Sequence, residues 1–239
     1  MIADTRRDFL RFAGGAAGVS VASLSTLWTP AVHAAALACT RAQAAVHVDA
    51  SLPEPVLDTS KPQRTIQALA PAAYHAGRTI GLYDAEIEAK IRMQFRSFTL
   101  RREKTSPACF FITAVNVGVA MPTRRILVAS ELLPGTCPHA AVLAHERKHE
   151  AADDEAVRKH TPRLQRAIQD AVANLGPIEA SSDKQDAAQA RLAARVQSAF
   201  DEAWREFQAE RSDLQRQVDA GLEYARVAAS CPDWSPIQR

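Results

Sequence analysis

The sequence has little of what a nucleic-acid binder displays. Its 29 Lys+Arg are nearly matched by 27 Asp+Glu, a formal net charge of +2, and no Lys/Arg block stands out along the chain. A balance that even leaves no electrostatic footprint for a phosphate backbone. Aromatic residues make up only 6%, which argues against a base-stacking surface, so no nucleic-acid partner is expected. The four cysteines, Cys39, Cys109, Cys137 and Cys231, include no CxxC pair, and a zinc-finger cluster is therefore not expected. A long unbroken apolar run is also missing. The weakly apolar stretch from Phe12 to about Trp28 contains Gly14, Gly15, Gly18 and several Ser, too short and too polar for a retained membrane span.

What is present fits a globular protein. Of 239 residues, 47% are hydrophobic and 23% charged, enough for one domain with a real core or at most two small ones. Residues Thr5-Arg6-Arg7-Asp8-Phe9-Leu10-Arg11 resemble the twin-arginine export signal. Pro30 and the small-residue site Val32-His33-Ala34 follow the apolar stretch, so residues 1–34 are expected to be a cleaved signal. The resemblance implies a periplasmic or secreted protein with no stable span after cleavage. A minor alternative is lipid anchoring at Cys39, because Leu37-Ala38-Cys39 faintly resembles a lipoprotein box, although Ala36 stands where Leu is usual. An even cysteine count in an exported chain implies two disulfides, with three pairings open. Cys109 with Cys137, flanking the segment that leads into the motif below, and Cys39 with Cys231 are the expected pairs, though the sequence establishes neither.

Residues 35–64 contain Pro, Ser and Asp without clear period, and read as an extended or partly disordered N-terminal segment. Residues 65–239 read as a single α+β domain with a long C-terminal helical region. From Tyr83 to Leu100, Ile87, Ala89, Ile91, Met93 and Phe95 alternate with Glu88, Lys90, Arg92, Gln94 and Arg96, the period of a half-buried antiparallel strand. The run from Cys109 to Met121 is more continuously apolar and suits an inner strand. Pro122 with Arg124 and Arg125 is expected to turn the chain into a short third strand, Ile126–Ser130. Together these give a small antiparallel or mixed sheet. Thr136 and Pro138 then signal a helix start, Pro162 is expected to interrupt that helix, and Gly176-Pro177 to stop it. Finally, Leu192, Val196, Phe200, Trp204, Phe207, Leu214, Val218 and Leu222 form one apolar stripe on one long helix or two, packed on the preceding helix. Arg211 stands in line with that stripe without an evident reason.

The residues that carry chemistry are His145-Glu146-Arg147-Lys148-His149, an HExxH motif. On a helix, residues four apart differ by about 40° around the axis, so both imidazoles leave one face, a turn apart. Two ring nitrogens can then reach one Zn²⁺ at roughly 2.0–2.1 Å. Glu146 lies about 100° further round, placed to take a proton from an attacking water without joining the ligands. His139 lies about 120° from His145 and is expected, like His160, at the surface or behind the ligands. His47 and His75 receive no role.

The segment Leu143–His149, entered from a strand, resembles the active-site helix of the zincin metallopeptidases. The run from Cys137 through His149, with a charged helical tail, is similar to small secreted zincin-like families of bacteria. The likeness covers only about residues 126–160, with a vaguer match in the C-terminal helix. It implies zinc-dependent hydrolysis of peptide or protein substrates in the cell envelope, with a substrate strand lying against an edge strand, here Ile126–Ser130.

The third ligand departs from the well-known patterns. Ala152 and Glu155 stand where the metzincin arrangement needs Gly and His, and no NExxSD of the gluzincin kind occurs. If the helix continues past Ala152, Glu155 points about 80° from His145. The polar cluster Gln215–Asp219 and Glu223-Tyr224 offers Asp219 as the expected ligand, Glu155 and Glu223 as alternatives, and Tyr224 as an oxyanion donor. The competing readings are a non-catalytic envelope-binding protein, whose HExxH is structural or coincidental, and a zinc hydrolase of non-peptide amides. Oligomeric state is not legible.

Overall fold

The computed structural model describes Cys39 and residues 43–70, 79–99 and 106–234. The chain divides after Ala36, and the fold is that of the second unit, Leu37–Arg239. The expected signal segment 1–34, His75 and Leu100 lie outside the described residues.

The architecture is α+β, a mixed sheet with helices packed on one face. In chain order the elements are β1 (Ala45–Ser51), β2 (Val56–Asp58), α1 (Gln63–Leu69), β3 (Gly81–Thr99), β4 (Pro107–Val128), α2 (Cys137–Asn174), β5 (Ile178–Ser181), α3 (Gln185–Val218) and α4 (Gly221–Ala229). β4 is the spine. β3 runs antiparallel to it from Gly81↔Val128 to Thr99↔Ala108. Along its other edge lie β5 antiparallel at residues 107–110, β1 parallel at 114–120, and β2 parallel at 125–127.

Within segment 35–64 the described residues include two short strands, β1 and β2, and Val48 of β1 is buried in the core. These strands are too short, and too flanked by Pro53 and Pro55, to show their period in isolation.

Pro122 does not turn the chain either. It sits inside β4, where Glu86↔Thr123 is followed by Glu88↔Ala120, so β4 carries one extra residue. On its other side it falls in the gap between the β1 pairing, which ends at Ala120, and the β2 pairing, which begins at Arg125. A proline has no N–H to give, and a bulge beside an unpaired gap requires none. A second irregularity separates Gln94↔Ala114 from Phe95↔Ile112. Each extra residue flips the inward face. Phe110 and Ile112 are buried, then Val115, Val117, Val119 and Met121, then Arg124, Ile126 and Val128. Two phase changes in one strand are why it reads as continuously apolar.

α2 and α3 lie antiparallel across the inward face. Leu164 and Ile168 of α2 and Leu192, Val196 and Phe200 of α3 close over Phe110, Val115 and Val117. The opposite face carries exposed Lys90, Arg92, Gln94 and Arg96. α2 runs unbroken through Pro162. The carbonyl that Pro162 leaves without a donor belongs to exposed Arg158 and can reach water, so the proline is accommodated. The stripe on α3 is buried as expected at Leu192, Val196, Phe200 and Phe207, but Leu222 is 88% exposed. The helix stops at Val218, and extended Ala220 separates it from α4.

The disulfides are Cys39–Cys109 and Cys137–Cys231. The expected Cys109–Cys137 pair fails on distance. Cys109 opens β4 and Cys137 follows its far end, roughly 60 Å away at a strand's rise per residue, against a Cα separation below about 7 Å in a bridge. With its sulfur bonded to Cys109, Cys39 has none left for a lipid thioether. Two disulfides fit an oxidising compartment. Among the described residues no helix is long and apolar enough to cross a membrane.

The core assignment predicts a sharp contrast. Phe110→Ala, at a fully buried site, should cost about 3–5 kcal/mol in urea unfolding. Leu222→Ala, on exposed α4, should stay within about 0.5 kcal/mol.

Candidate metal centre

The site begins with the helix start. Thr136 accepts the backbone N–H of His139 at 3.4 Å, and Pro138 lies in the first turn. From that register His145, Glu146 and His149 emerge from one side of α2, all buried. The two imidazoles meet edge to face with ring centres 5.0 Å apart.

Asp219 arrives from 70 residues away, on the residue that ends α3. Its Oδ1 is 3.1 Å from His149 Nε2 and 3.6 Å from His145 Nε2. One ligand atom from each of the three residues lies within 4.8 Å of the others, so the group could hold a metal ion. Two ligands about 2.1 Å from a tetrahedral zinc stand roughly 3.4 Å apart, between the 3.1 and 3.6 Å that separate Asp219 from the two histidines. The donor types fit as well. A carboxylate oxygen facing two ring nitrogens is an array of acceptors that needs protons or a cation between them. Two histidines and a carboxylate also leave one position of a tetrahedral ion open.

The surrounding charges agree. Burial opposes a charge on Asp219, but contacts with His145, His149 and Tyr224 outweigh it and hold its carboxyl well below the usual range. Tyr224 donates its hydroxyl to Asp219 Oδ1 at 2.7 Å, and its ring lies 5.5 Å from that of His145. Burial likewise disfavours the His149 imidazolium, yet Asp219, Gln215 and Glu146 together raise its pKa.

Glu146 is beside this group but outside it. Burial pushes its pKa up to about 7, while both histidines and the backbone N–H of Tyr83 pull more weakly the other way. That N–H comes from the start of β3. Here Gly81 allows the approach: a Cβ on it would overlap Val142 Cγ1 and stand 2.5 Å from Glu146 Oε1. The site opens into a cleft of about 760 Å³, with Gly81–Ala85 on one wall and Tyr224, Val227 and Trp234 on another. The expected edge strand is thereby corrected. Ile126 and Leu127 lie between β2 and β3, paired on both edges, and β3 is the strand that lines the cleft.

Of the alternative ligands, Glu155 is exposed on the far side of α2, because the helix continues through Ala152. Glu223 stands behind His145, with Oε1 at 3.7 Å from Nδ1, and pairs with Lys148 and Arg226. His139 and His160 are buried rather than at the surface. His160 pairs with Glu210 at 2.6 Å and packs on Phe207, away from the three converging ligands. His47 pairs with Asp49 in solvent.

A supporting chain runs behind His149. Its Nδ1 is 2.5 Å from Gln215 Oε1, and Gln215 Nε2 donates to His149 O at 3.0 Å and to Asp153 Oδ1 at 2.6 Å. Arg211 donates to both oxygens of Asp153, at 2.7 and 2.9 Å. Asp153 is wholly buried and also meets the Tyr83 hydroxyl. This explains Arg211 in the apolar stripe. Sequence reasoning missed Asp153, although it lies four residues beyond His149 on the same face, a spacing that could have revealed it.

In comparisons with protein-family models, curated proteins and solved structures, nothing matches this chain.

Two outcomes are expected. Gly81→Ala should lose about 1–3 kcal/mol by overpacking and displace Glu146, read by urea melts and by metal titration. In chelator-treated protein, Glu146 keeps its proton to about pH 7 when folded but gives it up near its ordinary pKa when unfolded. The unfolded state therefore binds fewer protons between the two values, and stability falls as pH rises across that window. The loss is on the order of 3 kcal/mol, and denaturation of Glu146→Gln should not show it.

Proposed function

We propose that this chain is an exported zinc metallopeptidase acting on peptide or protein substrates in the cell envelope. One observation carries the reading: Asp219, the C-cap of α3, meets the two HExxH histidines at 3.1 and 3.6 Å, while Glu146 stays outside that group, in the same cleft. In this reading His145, His149 and Asp219 hold the ion. Zinc, when bound, acidifies water and polarises a carbonyl.

The chain's own residues do the rest. Glu146, buried and accepting the Tyr83 N–H, takes the proton of the attacking water and returns it to the leaving amine. A bound dication would lower its pKa, favouring the carboxylate that must accept. Tyr224 gives its one hydroxyl proton to Asp219 here, and serves as the oxyanion donor by turning that proton from Asp219 to the substrate. Export through the twin-arginine pathway rests on Arg6-Arg7 and agrees with the two disulfides.

Metal analysis of purified protein tests the first half, with one zinc per chain expected. It also separates zinc from iron(II), which two histidines and a carboxylate can also hold. Glu146→Gln should keep the metal and lose about 10²–10⁴-fold of its activity on a degenerate peptide library. Absence of stoichiometric metal sinks the reading. Metal retained with activity untouched by Glu146→Gln makes the ion structural.

A further inference from the structure

Given the metal-binding reading, on which this inference rests, we propose that Gln215 is the positioning residue of the centre: it fixes His149 in the tautomer that presents Nε2 to the metal. The hydrogen-bond directions leave one solution. Arg211 has only donors, and it engages both oxygens of Asp153 at 2.7 and 2.9 Å. Asp153 thus accepts on every side. The group of Gln215 that lies 2.6 Å from Asp153 Oδ1 and 3.0 Å from the His149 carbonyl faces two acceptors, so it is the NH₂ end. The other end is then the carbonyl oxygen, which can only accept. At 2.5 Å from it, His149 Nδ1 carries a proton. The remaining nitrogen, Nε2, is the one facing Asp219 at 3.1 Å.

Proton placement therefore passes from a guanidinium that cannot lose its charge, through a buried carboxylate and an amide, to one ring nitrogen. An apolar residue at 215 would take one donor from Asp153 Oδ1, which keeps Arg211, and would leave the His149 ring without its Nδ1 acceptor, free to rotate or change tautomer. Gln215 touches neither a reacting atom nor the ion, and acts only through His149.

Two measurements decide this. In long-range ¹H–¹⁵N spectra of metal-free protein labelled at histidine, taken at a pH above the raised pKa of His149, where the ring is neutral, His149 should show the Nδ1–H tautomer. Competition with a chromophoric chelator should show Gln215→Leu binding Zn²⁺ about ten- to a hundredfold more weakly than the unsubstituted protein. An Nε2–H tautomer in the unsubstituted protein, or Zn²⁺ affinity of Gln215→Leu within about twofold of it, overturns the proposal. If Gln215→Leu does not fold, the tautomer decides alone. If the unsubstituted protein binds no Zn²⁺, the metallopeptidase reading fails while the tautomer still tests Gln215.

Discussion

A carboxylate with no access to water organises this protein. Asp153 on α2 is wholly buried, and an unpaired buried charge costs several kcal/mol. Its partners come from two other elements: Arg211 and Gln215 from α3, and the Tyr83 hydroxyl from β3. α3 can satisfy it only at one height along α2. That height also sets where α3 ends, and its end is Asp219. The carboxylate that completes the candidate metal group is thus placed by a salt bridge outside that group. Apolar contacts between Phe207, Met121 and Val157 hold the helices together next to it, but contacts of that kind tolerate sliding more readily than a bidentate pair does.

The sheet contributes the other half of the site. β3 reaches the cleft because β4 continues through Pro122 by a bulge, keeping β3 paired to Gly81↔Val128. There the missing side chain of Gly81 lets the strand close on Val142 and Glu146. Glu146 consequently sits between an apolar residue and one backbone N–H, an environment that favours its protonated form until a cation is near. Arg124 strengthens the same junction. It is buried in β4 and reaches the Pro53 carbonyl, the Tyr83 hydroxyl and Asp154 of α2.

Much of this was legible locally. The alternation of Ile87 through Phe95 gave β3, Thr136 and Pro138 gave the start of α2, and the HExxH spacing put two imidazoles on one face. Misreadings arose where the signal was non-local. Pro122 reads as a breaker until its neighbours are known, because only pairing shows that its missing donor is not needed. Cysteine pairing depends on which ends of long elements meet, and Cys109 and Cys137 lie close in sequence but at opposite ends of β4. Ile126–Ser130 resembled an edge strand because nothing local shows that β2 pairs beside it.

By itself the sequence determined the helix that presents two imidazoles on one face, since a turn of 3.6 residues aligns His145 with His149 whatever surrounds it. It also narrowed the third ligand to a few acids, Asp219 first among them. Choosing Asp219 over Glu155 and Glu223 belonged to the tertiary structure. A carboxylate becomes a ligand through where its backbone is held, and that position follows from the docking of α3 on α2 through Asp153, Arg211 and Gln215.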